Sequence, residues 1–286
     1  MILKVNHTTT YRYGQPVSIC HNEVHLTPRA SARQTVLLHE LTIDPAPDTR
    51  AARKDYFGND VTAFSIHLPH RTLAITATSL VDRQADDPIH PGLTPPWEQV
   101  RDEVSRHESK DTFDAFQFIF ESPRVKLSPA FAAYGAESFA AGRPLLEAAR
   151  DLCGRIFTDF KYDQGATTVK TPIEEAFELR QGVCQDFAHI MIACLRSIGL
   201  PALYVSGCLR CSPDSIGAAA SHAWVSVFCG NFGWLDFDPT NNLMPAVDHV
   251  TIAHGRDYSD VPPVNGVALG GGKQTIEVTV EVTPAN

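Results

Sequence analysis

A chain of 286 residues with 43% hydrophobic and 20% charged residues has the ordinary globular mix and room for about two compact units, which excludes a disulfide-stapled toxin and extensive disorder. Its formal charge of −9, from 24 Lys and Arg against 33 Asp and Glu, has the wrong sign for neutralising phosphates, so nucleic acid is not the expected partner. No apolar run approaches the roughly 18 residues of a membrane span, the opening MILKVNHTTT has no secretory-signal pattern, and seven cysteines, an odd number, argue for reduced thiols; a cytoplasmic protein without a membrane partner is expected.

Residues 2–83 carry strand periodicity. Phe64, Ile66 and Leu68 share one face, while Leu73, Ile75 and Val81 alternate with Thr72, Thr76 and Thr78. Turn signals at 13–16, 44–47 and 57–60 suit an antiparallel β-sandwich, so residues 1–85 are predicted to be an all-β domain. The Pro-rich, acidic stretch 86–96 is the expected linker, and 97–286 a second domain.

Beyond residue 96 the period becomes helical. Ser128-Pro129 reads as an N-cap followed by proline at the first helical position, and Pro144 opens a run in which Leu145, Ala149, Leu152 and Ile156 recur on one face. Thr171 and Glu174 have the spacing of a capping box for a helix ending at Gln181-Gly182. The next helix is predicted over 184–197 and is apolar around most of its circumference, as a buried helix must be. Strands are predicted at 203–209, 222–228 and 234–237, the last two forming a hairpin, and a final alternating strand at 275–282 follows Gly270-Gly271-Gly272.

Cys184 is placed at the N-terminus of the buried helix. Unpaired N–H groups and the positive end of the helix dipole favour thiolate there, and reactive cysteines in such settings have pKa values of roughly 3.5 to 7.5. Its own backbone N–H could also donate to an oxyanion. A thiolate nucleophile needs a base and a group that orients the base, and the hairpin supplies both. A symmetric loop centred on Asn231 pairs residues whose numbers sum to 462, which sets Asp238 opposite Trp224 and diagonal to His222 on the same face. Asp238 is therefore the preferred partner of the imidazole, with Asp236 as the backup.

The segments 182–189, 221–225 and 236–242, with Cys184, His222 and Asp238 in that order and 38 and 16 residues apart, resemble the three core motifs of the transglutaminase-like superfamily. Residues 7–13 and 22–24 resemble the N-terminal β domain of its bacterial branch, and 255–263 its C-terminal segment. The resemblance implies an α+β fold: an N-terminal antiparallel β-sandwich followed by a papain-like core in which a central helix packs on an antiparallel sheet. It implies acyl transfer through a thioester, with Cys184 as nucleophile, His222 as acid and base, and Asp238 holding the imidazole; Tyr162 is the nearest match for a second oxyanion donor.

Other signals are weaker. Cys208 and Cys211 form a lone CxxC without the further ligands a zinc site needs, and no EF-hand spacing occurs, so neither metal nor cofactor is called for. His189 and Gln185, one turn apart, are expected to be structural, as is 256–258. The expected substrate is a peptide or protein amide and the default acceptor is water, with amine transfer as a variant of the same chemistry. The rival expectation is a catalytically silent peptide-binding or assembly module on the same fold.

Overall fold

A single strand of 23 residues, β1 (Ile2–Val24), organises the N-terminal region because it is long enough to serve two sets of neighbours. The computed structural model describes residues 1–85, 88–210, 216–217 and 220–285. The next strands are β2 (Gln34–Asp44), β3 (Thr49–Lys54), β4 (Asp60–Ile66) and β5 (His70–Arg83). β1 pairs antiparallel with β5 along its first half, Leu3 opposite Val81 and Tyr11 opposite Leu73, and with β4 near its end, Cys20 opposite Ile66. The order is β2-β5-β1-β4-β3. Leu41, Ile43, Leu73 and Ile75 from one end of this sheet pack with Phe64 and Ile66 from the other around Val17, Cys20 and Val24, so the sheet folds over on itself as a sandwich. Leu68, expected on the same face as Ile66, is exposed because β4 ends at Ile66, ahead of Pro69.

Among its described residues the second region contributes six α-helices: α1 (Trp97–Arg106), α2 (Lys110–Phe116), α3 (Pro129–Ala136), α4 (Leu145–Asp159), α5 (Ile173–Leu179) and α6 (Cys184–Ser197). Two short strands, β6 (Lys161–Tyr162) and β7 (Gln181–Gly182), pair in parallel and set Tyr162 beside the residues that lead into α6. A second sheet, of order β10-β9-β8-β11, contains β8 (Ala202–Leu209), β9 (His222–Phe228), β10 (Trp234–Phe237) and β11 (His249–Gly255). α6 lies on this sheet with α3, α4 and α5 around its other sides, and all its residues but Gln185 and Ser197 are buried, as an apolar circumference requires. Its start is fixed by Asp186, whose Oδ2 accepts from the Val183 N–H at 2.8 Å.

Ser128 caps α3 as its sequence predicts, accepting from the Phe131 N–H at 3.3 Å. Thr171 does not cap α5. Its hydroxyl accepts from the Thr168 N–H at 2.9 Å in a local turn, and Pro172 takes the cap position without a side-chain bond. Two strands have no clear sequence signal. β11 is buried on both faces and lacks polar alternation, while β12 (Val264–Gly270) carries two glycines.

β12 and β13 (Gln274–Pro284) return to the first sheet and lie along β1, Val280 opposite His7 and Val282 opposite Val5. Residues 264–284, grouped with the second region on sequence, are thus paired with the first. Val280 and Val282 join Leu3, Val5 and Val81 in the same buried cluster as the α6 side chains, so the two regions share one core. Among the described residues no helix is long and apolar enough to cross a membrane.

Because β13 pairs along β1 where β1 meets the helical core, a chain ending at Pro263 is expected to melt at a lower temperature than the full chain. An unchanged melt would mean that the last two strands are dispensable.

Candidate active site

The hairpin register follows the symmetric pairing, Trp234 opposite Phe228 and Leu235 opposite Val227. Continuing it brings Asp238 diagonal to His222, and their side chains meet: His222 Nε2 donates to Asp238 Oδ2 at 2.7 Å. Asp236, the backup, serves elsewhere, accepting from Trp224 Nε1 at 3.0 Å. Cys184 opens α6 on the facing side, and its Sγ is 3.9 Å from the carbonyl oxygen of Ser221, the residue before His222. The imidazole therefore has one nitrogen on the carboxylate, while Nδ1 is buried without a hydrogen-bond partner among the described residues. The Cys184 sulfur lies close enough to help stabilise the protonated ring. Such hydrogen bonds are often long in a site without substrate.

The electrostatics couple the three groups. Burial alone would lower the His222 pKa, but the charge and hydrogen bond of Asp238, followed by the effect of Cys184, outweigh it and raise the value to about 10. Burial would raise the Asp238 pKa, yet the opposing imidazole charge and hydrogen bonds hold the carboxyl well below the usual carboxylate range. Burial pushes the Cys194 and Cys208 thiols up to about 12 and those of Cys153 and Cys229 higher still. Cys208 is buried at the end of β8; Cys211, its CxxC partner, lies outside the described residues.

Asp238 is wholly buried and accepts more than the one bond expected of it. Its Oδ1 accepts from the Thr240 and Asn241 N–H groups at 2.9 and 3.2 Å. Its Oδ2 accepts from Asn241 Nδ2 at 2.8 Å and from a second imidazole, His249 Nε2, at 3.2 Å. Neither Asn241 nor His249 was singled out by sequence. Asn241 was legible in principle, within turn reach of Asp238; His249 arrives on β11, two strands from His222 in the second sheet, and no local spacing encodes it. Gly207, opposite His222 on the intervening β8, has to lack a side chain, since a Cβ there would lie 2.3 Å from the Trp224 ring. That ring packs edge-on to His249, with centroids 5.2 Å apart. His222, Asp238 and His249 have a metal-ligand composition, with ligand atoms within 4.8 Å of one another. Both imidazole Nε2 atoms already bond the same carboxylate oxygen, Asp238 Oδ2.

Tyr162 is half-buried, with its ring edge-on to Phe187. Burial first, and then the Cys184 charge, raise its phenol pKa. Gly217 links it to the histidine. With φ +82 this residue lies over the site, and a Cβ on it would be 3.1 Å from His222 Nδ1 and 3.4 Å from the Tyr162 hydroxyl. Asn241 also anchors this cover: its Oδ1 accepts from the Ile216 N–H at 2.8 Å, and its Nδ2 donates to the Ile216 carbonyl at 3.3 Å. Cys184 is only 8% exposed. His189 is structural, accepting from the Tyr258 N–H at 3.1 Å, and the wholly buried Asp257 accepts from the Arg124 N–H at 2.7 Å. Gln185 is half-buried beside Cys184. A cavity of about 740 Å³ lies along α4 and approaches the site through Phe237 and Asn242, the neighbours of Asp238 and Asn241; Cys184 is not among its lining residues.

Residues 133–239 match the transglutaminase-like superfamily, and residues 3–82 match the bacterial transglutaminase-like N-terminal region. An uncharacterized protein of Mycobacterium tuberculosis, Rv2569c, is 41% identical over 98% of this chain and 92% of its own length. The chain belongs to the transglutaminase-like superfamily. A crystal structure of a candidate cysteine protease from Cytophaga hutchinsonii superposes with a TM-score of 0.79 at 22% identity, covering 99% of this chain and 90% of that one, and shares the fold. The protein-glutamine gamma-glutamyltransferase of Pseudomonas aeruginosa is 30% identical over 107 residues, 33% of this chain and 16% of that protein.

The two displaced pKa values make a signed prediction. His222, raised from 6.5, contributes stability that is complete below about pH 6.5 and lost as pH rises through about 10; Asp238, depressed from 3.8, contributes stability that is present above about pH 3.8 and lost in acid. The stability difference between wild type and Asp238→Asn, measured by denaturant unfolding at a series of pH values, should be largest between about pH 4 and 6.5 and shrink on both sides. A difference independent of pH would mean that the pair is not charged in the folded protein.

Proposed function

We propose that the protein is a cysteine-dependent acyl transferase that cleaves peptide or isopeptide amides through a thioester, with water as its default acceptor. The observation that carries this reading is the His222 Nε2 to Asp238 Oδ2 bond of 2.7 Å, which leaves the opposite nitrogen for a cysteine at a helix N-terminus.

In the proposed sequence Cys184 Sγ, having given its proton to His222 Nδ1, attacks the amide carbonyl and forms a carbon–sulfur bond. The oxyanion accepts from the Cys184 N–H, which as the first residue of α6 has no acceptor within the helix, and from the Tyr162 hydroxyl near His222. The carbon–nitrogen bond then breaks and the departing amine takes the proton from Nδ1. Water attacks the thioester, returns a proton to Nδ1, and releases the acid and the thiol. Asp238 holds the ring throughout and stabilises its charged form. An amine in place of water would give transglutamination, and similarity to the Pseudomonas aeruginosa enzyme supports including it as an acceptor.

The near-complete burial of Cys184 favours the second reading, a silent binding module. Mass spectrometry of a peptide library incubated with wild type or Cys184→Ala, with and without a labelled amine, tests the first: cleavage, deamidation or amine incorporation should disappear with the sulfur. Iodoacetamide at pH 6 separates the two readings. Cys184 should be alkylated ahead of the other thiols, and His222→Ala should slow it on the order of 10²-fold. Labelling no faster than at Cys20 or Cys153 would leave only the binding module.

A further inference from the structure

β1 presents Leu3, Val5, His7 and Thr9 on one buried face, and Leu3 and Val5 share a cluster with the α6 side chains. His7 is the polar member of this row at the active site. It is held between Ala77 of β5 and Val280 of β13, and its Nε2 is 3.0 Å from the Ser221 hydroxyl, 214 residues away in sequence. Ser221 is the residue whose carbonyl faces Cys184 Sγ and whose peptide bond leads directly to His222.

Resting on the reading of Cys184 and His222 given above, we propose that His7 is a positioning residue of the same site: through Ser221 it fixes the backbone unit that carries both the carbonyl next to the sulfur and the catalytic imidazole. The N-terminal sheet then completes the catalytic centre rather than standing beside it. Three further observations agree. The seam between the two sheets retains a cavity of only about 10 Å³, about enough for one water, so solvent has little room to replace the imidazole. Among the described residues His7 Nδ1 is buried with no partner, leaving Nε2 as the ring's one side-chain bond. Burial also lowers the His7 pKa to about 4, keeping the ring neutral and the bond unchanged at neutral pH.

The test uses the full-length chain in four forms besides wild type: His7→Ala, His7→Gln, Ser221→Ala and the double alanine variant. Two readouts are followed, the pH profile of Cys184 alkylation by iodoacetamide and the ¹⁵N shift of the His222 imidazole. Displacing a catalytic group by about 1 Å can cost on the order of 10²-fold, so His7→Ala and Ser221→Ala should each slow alkylation ~10-fold and move the His222 signal. The double variant should lose no more than either single one, because both remove the same link, and His7→Gln, which can bond from the Nε2 position, should recover most of the rate. A lower thermal midpoint for His7→Ala with wild-type alkylation and His222 shift would reduce His7 to packing and overturn the proposal. Should His7→Ala fail to fold, a wild-type profile and shift in Ser221→Ala would overturn it equally. Wild-type Cys184 that reacts no faster than the other thiols would defeat the hydrolase reading separately; the His222 shift in the variants would then decide the link to His7.

Discussion

The structure depends on one buried charge. Asp238 has no exposure, and a carboxylate in that position persists only if its oxygens are paired and hydrogen-bonded. His222 supplies the paired charge, and Thr240, Asn241 and His249 supply further donors. Removing one donor leaves the others around a poorly compensated charge, so the cluster behaves as a unit. It also orders the ring: with Nε2 committed to the carboxylate, Nδ1 is left for the proton transfer that the proposed reading assigns to it. A structural requirement and a chemical one are met by the same bond.

That cluster assembles because the architecture brings distant segments to one place. β9 carries His222, the end of β10 leads to Asp238, β11 brings His249 past β8, and α6 presents Cys184 from its first turn. The long β1 adds His7 from the first sheet, and β13 lies along β1 to cover the same seam. The shared core of Leu3, Val5, Val280 and Val282 with the helical residues explains why the two sheets are not independent units: neither buries these side chains alone.

Much of this was legible in the sequence where the signal is local. α6 and the hairpin follow from apolar periodicity and a glycine-containing turn, and the diagonal placement of Asp238 follows from the pairing sum alone. What was not legible is non-local or contested. His249 reaches Asp238 only through the order of strands in the sheet, which pattern reasoning does not fix. The seat of β12 and β13 on β1 has the same origin: alternation identifies a strand but not its partner. Thr171 and Glu174 had the right spacing for a capping box, yet the Thr171 hydroxyl found a nearer amide at Thr168, a competition between local hydrogen bonds that composition does not decide.

The cover over the site belongs to the same network. Asn241 donates to Asp238 and to the Ile216 carbonyl from one amide nitrogen and accepts the Ile216 N–H on its oxygen, so one side chain ties the buried carboxylate to the backbone that places Gly217 above His222 Nδ1. A Cβ on Gly217 would come within 3.1 Å of His222 Nδ1, so the absence of one leaves that side of the ring clear of this residue's own side chain. Moving Ile216 aside would forfeit two hydrogen bonds, each worth about 0.5 to 1.5 kcal/mol net. An extended peptide offers N–H and carbonyl groups able to replace both. The cover over His222 thus rests on backbone hydrogen bonds of the kind an extended peptide can exchange, an exchange that the proposed reading of the site would require.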